Sequence, residues 1–506
     1  MNDVPSAPVA VILAAGLGTR MRSRRPKVLH PVCGRPMLAH VLDVARAVAP
    51  AAGGRAAPDP VVVVSPATER VRDEIGTDGV SYAVQAEPLG TADALRAAMH
   101  AVPAGVEEIV VLSGDTPLLR PETVRDLLSR RRAEEATIAL AVIHPADPRG
   151  YGRIVRGTDG RVARIVEEKD ADEATRRVGE ANAGLYAFSA AWVRSRIADV
   201  APSPATGEYY LPDLVAMAHA EGGTVVTLDV TDERELAGIN DRVQLAEAEA
   251  ELRRRIVEAH MRAGVTMLDP ASVSVESAVE IAPDVVLERG VILQGRTRIG
   301  TDSVIGAGSR IVDSVIGERC RVWSSVIESS EIGDDVQVGP WAHLRPGARV
   351  GDGAEVGNFA EIKSSTLGPG SKQHHFSYLG DATVGERVNI GAGTITCNYD
   401  GRRKHPTRIG DGAFIGSDTM LVAPVDVGAG ARTGAGSVVT RDVPDGMLAV
   451  GVPARLRRPH DASEPQGEPG TIAAEAGGGA AITAGAADDP AAQRPEPAPE
   501  DAAPRA

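Results

Sequence analysis

Residues 344–362 read LRPGARVGDGAEVGNFAEI, with an aliphatic side chain at Leu344, Val350, Val356 and Ile362. The column reaches back one step to Val338, and the same six-residue step occurs at Ile299, Ile305 and Ile311 and at Ile409, Ile415, Leu421 and Val427. An α-helix would spread such a column around its cylinder, so this is not an amphipathic helix. A fixed step of six fits a coil of short flat sides, each turning one aliphatic inward: the hexapeptide form of the parallel β-helix. Small residues after the aliphatics, as in Val350-Gly351 and Ile415-Gly416, suit corners where the backbone turns sharply. The repeat runs from about Ile281 to Val439, with shortened steps at Ile311–Ile316 and Ile327–Ile332. Two stretches read as interruptions, Gly368–Gly380 with His374, His375 and Tyr378, and Thr396–Thr407 with Asn398, Tyr399 and the basic run Arg402-Arg403-Lys404-His405. Polar groups bulging from a regular solenoid are where function is expected.

Upstream the rhythm changes. Val9–Leu13, Val61–Val64 and Ile109–Leu112 read as buried strands, and Pro36–Val48 and Ala92–Met99 have helical spacing. That alternation predicts an α/β domain with a mostly parallel sheet. Val9–Leu13 runs into Ala14-Ala15-Gly16-Leu17-Gly18-Thr19-Arg20-Met21, expected to be a glycine loop opening a helix, with Arg20 and Lys27 adding charge for a phosphate. The loop lacks the Gly-Lys-Ser/Thr of a P-loop and the third glycine of a dinucleotide fingerprint. Ser113-Gly114-Asp115 sets a carboxylate at a strand's C-terminal end, where ligands of such sheets sit and where a lone Asp suits Mg²⁺ shared with substrate phosphates. Asp241–Ala263 reads as a linking helix with Leu245, Leu252, Ile256 and Ala259 on one face. The domains are therefore expected at 1–240, 241–263 (linker helix), 264–458 and 459–506.

A net charge of −15 argues against a nucleic-acid partner. Nine acids and two arginines put −7 of that charge beyond residue 458, in an Ala/Gly/Pro/Glu-rich tail too poor in large apolar residues to fold, expected to be a disordered acidic appendage. Cys33, Cys320 and Cys397 are too scattered for a disulfide framework or zinc site. The N-terminal Met1-Asn2-Asp3-Val4-Pro5 shows no secretory pattern, and no apolar run of about 18 residues would span a membrane. A cytoplasmic enzyme with no membrane partner is expected.

The motifs together resemble a known family. Leu13–Met21 with Pro26-Lys27, Gln85-Ala86-Glu87 with Leu89-Gly90-Thr91, Gly114-Asp115, Gly150-Tyr151-Gly152-Arg153, Val166-Glu167 with Lys169-Asp170, Asn182 with Gly184, and Gly207-Glu208-Tyr209-Tyr210 look like the signature of sugar-phosphate nucleotidyltransferases. Joined to Leu344-Arg345-Pro346-Gly347, Gly357-Asn358-Phe359, Tyr378-Leu379-Gly380-Asp381 and Asn389–Gly401, the pattern is similar to the GlmU family over roughly residues 8–455. Its members are bifunctional N-acetylglucosamine-1-phosphate uridylyltransferases and glucosamine-1-phosphate N-acetyltransferases.

The resemblance implies a Rossmann-like nucleotidyltransferase domain, a left-handed β-helix and a homotrimer with acetyl sites between subunits. It implies small-molecule substrates: glucosamine 1-phosphate, acetyl-CoA and UTP, with Mg²⁺. The product, UDP-N-acetylglucosamine, feeds peptidoglycan and other envelope precursors. Carried over by motif, Asp115 and Asn240 would hold Mg²⁺, and Arg20 and Lys27 the triphosphate. Leu13, Ala14, Ala15, Gly16, Gln85, Gly90 and Thr91 would contact the uridine part, and Gly152, Glu167 and Asn182 the sugar. His375 would be the acetyl-transfer base, with His374 standing where members often carry a small residue. Arg345, Lys363, Tyr378 and Asn389 would hold the amino sugar, and Ala392, Asn398, Tyr399, Ser417 and Ala435 the acetyl-CoA. Departures are Ala92-Asp93 in place of a common Gly-His, Ser364 for a lysine, and Val450–Pro453, which offers no aligned arginine for CoA, leaving Arg455, Arg457 or Arg458. The alternatives are a single-function sugar-1-phosphate nucleotidyltransferase with the solenoid as oligomerisation scaffold, and a non-enzymatic assembly subunit.

Overall fold

In the computed structural model, which describes residues 7–49, 57–204 and 206–458, the six-residue step becomes a three-sided prism of parallel strands. Each turn contributes one short strand to each face, so a strand pairs with the third one after it, until Arg432–Thr433, which pairs with Leu448–Val450 at the C-terminal end. The first face runs from Thr266–Met267 to Leu448–Val450, the second from Ser274–Val275 to Val438–Val439, and the third from Glu280–Ile281 to Val425–Val427. The column residues Val338, Leu344, Val350, Val356 and Ile362 are all buried, in one continuous core with their neighbours. Each such side chain contributes about 1.5–3 kcal/mol on burial, so the prism's stability grows turn by turn.

Four of the shortened steps share an address, while a fifth, Val322→Ile327, crosses from the first face to the second. Ile311→Ile316, Ile327→Ile332, Ile362→Leu367 and Leu379→Val384 all cross the edge from the second to the third face. There Asp313, Ser329, Ser364 and Asp381 adopt a left-handed backbone and turn the corner one residue sooner. Of the two expected interruptions, the first is absent. Leu367, Gln373 and Leu379 keep the six-residue step, and Lys372–Gln373 pairs in register with Glu355–Val356 and Asn389–Ile390. Gln373 simply replaces the inward aliphatic; its amide is buried and donates to Glu361 O and Ser377 O, each at 3.3 Å. The second interruption is real. The chain leaves strand Ile395–Cys397 and rejoins at Thr407–Ile409, with a loop between them held by the Tyr399–Lys404 bridge.

The N-terminal domain is built on a sheet ordered Val225–Asp229, Ile138–Ile143, Ala181–Ser189, Glu108–Ser113, Val9–Leu13, Val61–Val64 and Ser81–Val84. Along this order Ala181–Ser189 alone runs antiparallel to its neighbours, and Arg153–Arg156 and Val162–Val166 add an antiparallel pair beside it, so the sheet is mostly parallel. The glycine loop corrects another expectation: it opens no α-helix. Two short 3-10 turns, Thr19–Met21 and Lys27–Leu29, follow it, and the first α-helix is Met37–Val48. A helix-terminus phosphate site is therefore not available at Gly16–Gly18.

The linking helix is Arg242–Arg262, capped by Asp241, whose carboxylate accepts from Val243 N and Gln244 N at 2.9 Å each. Leu245 and Leu252 pack with Val32, Met37, Leu118 and Ile239 of the α/β domain, and Ile256 and Val257 against the prism core. Ala259, expected on that face, is exposed. No helix among the described residues is long and apolar enough to cross a membrane. The acidic segment 459–506 and the residues 1–6 lie outside the described residues.

Candidate functional site

Two polar sites arise, one at the C-terminal edge of the central strands and one along an edge of the prism. In the first, Gly114 N donates to Leu13 O at 3.0 Å, which brings the exits of two parallel strands together. Leu13, Ala15, Gly16, Gln85, Gly90, Thr91, Asp115 and Glu167 line one cavity of about 390 Å³. Glu208 and Tyr210 complete its wall; their motif stood out in the sequence but carried no assigned role. Gly152 and Asn182 sit beside Glu167, with Asn182 N donating to Gly152 O at 2.8 Å. Ala14 is buried, its N–H spent on Val63 O, and Arg20 is exposed with no ion pair among the described residues.

Lys27 reaches this cavity edge because Gly18 lets it through. Gly18 is left-handed at φ 60°, and a Cβ there would lie 2.5 Å from the Lys27 Cβ. The Lys27 ammonium pairs with Asp115 Oδ2 and donates to Asn240 Oδ1 at 3.1 Å. Asn240 is held in turn: its Nδ2 donates to Gly238 O at 3.1 Å and its backbone N–H to Gln244 Oε1 at 2.7 Å. Asp115 and Asn240 thus aim oxygens at one cation. Among the described residues no three His, Cys, Asp or Glu side chains converge on a metal position. One carboxylate and one amide oxygen suit a hard cation that keeps waters and shares substrate phosphates, so the donor set fits Mg²⁺.

Electrostatics differ deeper in. Burial, with Asp170 and Asp213 nearby, pushes the Glu167 carboxyl above its ordinary value. Gln85 is buried, and its Nε2 donates to Gly90 O at 3.0 Å and Asp93 Oδ2 at 2.9 Å. Both N–H donors are engaged, so the atom left for a ligand is the carbonyl oxygen.

The second site gathers on the prism's second face. Arg345 donates to Glu361 at 2.8 Å, Glu361 stands opposite Tyr378 one turn on, and Lys363 opposite Gly380. Gly380 has no side chain where one is needed least: a Cβ there would overlap both the Tyr378 hydroxyl and the Asn398 amide. Lys404, from the inserted loop, stands near Lys363, and that neighbouring charge holds Lys363 below the ordinary lysine value. Two ammonium groups side by side, with Arg345 close, form a place where a phosphate dianion would be stabilised. The insert itself is tied by Asp400, which accepts from Arg402 N and Arg403 N at 2.7 Å and pairs with His405.

Along the edge between the first and second faces, His374 and His375, Ala392, Ser417 and Ala435 occupy successive turns. The two histidines separate cleanly. His374 Nε2 pairs with Glu355 at 3.1 Å, and Glu355 also holds Lys372 at 2.8 Å. His375, left-handed at φ 56°, is exposed and makes no hydrogen bond or ion pair among the described residues. Asn389 lies apart: it pairs with Lys372 and Phe414 on the first face, away from Arg345, Lys363 and Tyr378 on the second. Tyr399 is exposed at the start of the insert. The sequence reading missed Lys404, Glu361 and Asp381 as site residues; counting one turn, 16 to 18 residues, from Arg345 and Lys363 would have found the last two.

Residues 10–185 match the MobA-like NTP transferase domain, and residues 329–364 and 406–441 match the bacterial transferase hexapeptide (six repeats). Among curated relatives, the "Bifunctional protein GlmU" of Heliobacterium modesticaldum is 51% identical over 443 residues, 87% of this chain and 94% of that protein. Proteins of the same name from Caldanaerobacter subterraneus subsp. tengcongensis (87% of this chain, 94% of that protein) and Pelobacter propionicus (89% and 96%) are each 46% identical.

Proposed function

The chain belongs to the GlmU family of bifunctional proteins, and on that premise we propose that it makes UDP-N-acetylglucosamine in two transfers at two separate sites. The prism N-acetylates glucosamine 1-phosphate from acetyl-CoA; the α/β domain then transfers UMP from UTP to the product, releasing pyrophosphate. The observation that carries this reading is the presence of two unlike polar sites on two unlike scaffolds: the Lys27–Asp115–Asn240 cluster beside a cavity, and the Arg345–Lys363–Lys404 cluster on the prism.

In uridylyl transfer a phosphate oxygen of the sugar attacks the α-phosphorus of UTP, and the bond to the β-phosphate breaks. The protein's part is positioning and charge neutralisation. Asp115 and Asn240 would hold Mg²⁺, which when bound neutralises phosphate charge. Lys27, released from those two side chains, and the unpaired Arg20 would then face the triphosphate. Leu13 through Gly16, Gln85, Gly90 and Thr91 contact the uridine part, and Gly152, Glu167 and Asn182 the sugar.

In acetyl transfer the substrate's ammonium must lose a proton before its nitrogen attacks the thioester carbon and CoA leaves. His375, exposed and with neither hydrogen bond nor ion pair among the described residues, takes that proton. Arg345 and Lys363, with Lys404, hold the phosphate; Tyr378 and Asn389 hold the sugar; Ala392, Asn398, Tyr399, Ser417 and Ala435 line the acetyl-CoA path, Ser417 polarising the thioester carbonyl. Arg455 and Arg457, on an exposed end strand, and the adjoining Arg458 are cations available to CoA phosphates. Because Asn389 and Lys363 lie on different faces, a homotrimer that sets one copy's first face against another's second would complete the site. The domains divide at 1–240, 241–263 and 264–458, and the enzyme works in the cytoplasm.

The test is to supply purified chain with glucosamine 1-phosphate, acetyl-CoA, UTP and Mg²⁺ and follow the products. UDP-N-acetylglucosamine should form through an acetylated intermediate. Uridylyl transfer to supplied N-acetylglucosamine 1-phosphate, with no acetylation of glucosamine 1-phosphate, would reduce the prism to a scaffold.

A further inference from the structure

Asn398 opens the loop inserted into the prism, and it is 8% exposed. Its backbone is bracketed, the N–H donating to Thr396 O at 2.9 Å and the carbonyl accepting from His405 N at 2.8 Å. Among the described residues its side chain makes one hydrogen bond: Nδ2 donates to Asp381 Oδ2 at 2.5 Å. A carboxylate can only accept, so it dictates which end of the amide faces it. The carbonyl oxygen Oδ1 is left over, and it accepts no hydrogen bond among the described residues. The same amide meets the Tyr378 hydroxyl across the bare Gly380, within the cluster that contains Lys363 and Lys404.

We propose that Asp381 is a positioning residue for acetyl transfer: by accepting from Asn398 Nδ2 it presents Asn398 Oδ1 as the acceptor for an N–H of a bound substrate. This rests on the reading of the prism as the acetyl-transfer site. Two substrate groups share the chemistry, the amino group of glucosamine 1-phosphate and an amide N–H of the pantetheine arm of acetyl-CoA. If the amide turned over, it would offer two donors where the substrate also brings a donor, and the contact would become repulsive. Asp381 also adopts a left-handed backbone at φ 50°, a conformation that asparagine and glycine tolerate and most residues do not. That makes two informative replacements structurally mild.

The experiment compares Asp381→Asn, which keeps an acceptor oxygen and removes the charge, with Asp381→Gly, which keeps the backbone and removes the acceptor. Full-length chains are assayed for acetyl transfer by CoA release, varying each substrate, with melting temperature checked for each variant. Asp381→Gly should lose about 10²-fold in kcat/KM, the scale of a misplaced reacting contact. Asp381→Asn can still accept from Asn398 Nδ2 but can also donate to its Oδ1, so it allows the productive orientation without enforcing it and should lose clearly less than Asp381→Gly. A KM rise confined to glucosamine 1-phosphate assigns the contact to its amine; one confined to acetyl-CoA assigns it to pantetheine. Equal losses in both variants at unchanged melting temperature would mean that only the charge matters and would overturn the proposal, as would a fully active Asp381→Gly. Asn398→Ala separates the layers: if it acetylates at the wild-type rate, the reading of the site itself fails, whatever Asp381 does.

Discussion

The two sites are assembled by opposite means. In the α/β domain, Lys27 meets side chains 88 and 213 residues away, and Asn240 arrives only because the linking helix is seated correctly. On the prism, Arg345, Glu361, Tyr378 and Asn398 are neighbours because each turn stacks in register on the last, 16 to 20 residues on. One site depends on tertiary packing across much of the chain, the other on a local repeat. A disturbance of packing should therefore strike the first and spare the second, and each site should fail alone.

The largest effect expected is a crossed loss. His375→Ala should cut acetyl transfer by about 10²–10⁴-fold, the usual contribution of a general base, while uridylyl transfer stays at its wild-type rate. Asp115→Ala should do the reverse. Separate assays of the two half-reactions on each variant check this; both activities falling together in a folded His375→Ala protein would break the division into two sites.

Next comes the dependence on packing. Ile239 is buried beside Ala248 and precedes Asn240, and its N–H donates to Asp115 O at 3.0 Å. Ile239→Ala should cost about 2–4 kcal/mol of stability as a core truncation. Because it loosens both proposed metal ligands, uridylyl kcat/KM should also fall by about tenfold or more at temperatures where the variant is fully folded. Acetyl transfer, measured in the same sample, should not change.

This contrast explains what could be read in advance. The prism was legible because one inward residue per side is a one-dimensional signal, and the Arg345 and Lys363 motifs lie on it. Its apparent break at Gln373 is no break: a buried amide whose Nε2 donates to two carbonyls fills an aliphatic's place, which residue polarity alone does not announce. The α/β strands were legible from their apolar runs. What followed Gly16–Gly18 was not: a left-handed Arg22 and two 3-10 turns carry the chain to Lys27, and no periodic pattern announces them. Nor could spacing reveal Lys404, whose loop folds back through a hairpin closed by Asp400.

A smaller effect concerns Glu167. Its folded-state carboxyl lies above the ordinary range, chiefly through burial. The folded protein thus holds that proton more tightly than the unfolded chain does, and stability declines as pH rises through the window between the two values. Glu167→Gln should therefore melt higher than the wild type at neutral pH, with the difference vanishing in acid below the ordinary carboxylate range. Its uridylyl KM for N-acetylglucosamine 1-phosphate should rise, since an ionised acceptor has become a neutral amide. Melting curves across pH test the sign; a Glu167→Gln protein less stable at neutral pH would show that the carboxylate is held by favourable contacts instead.

The smallest effect expected tests the same device in its redundant form. Both sites direct an amide with a carboxylate, Asn398 by Asp381 and Gln85 by Asp93. Asn398 has that one acceptor, whereas Gln85 also donates to Gly90 O, a backbone group that no substitution removes. Asp93→Ala should leave Gln85 in its orientation and forfeit one of two hydrogen bonds, a loss of about 1 kcal/mol or some fivefold in KM for UTP with kcat preserved. Asp381→Gly, by contrast, removes the one lock that the described residues provide. The ratio of the two losses measures how much the second acceptor contributes: if Asp93→Ala cost as much as Asp381→Gly, Gly90 O would not be holding Gln85, and the cavity wall at Gln85 would depend on Asp93 alone.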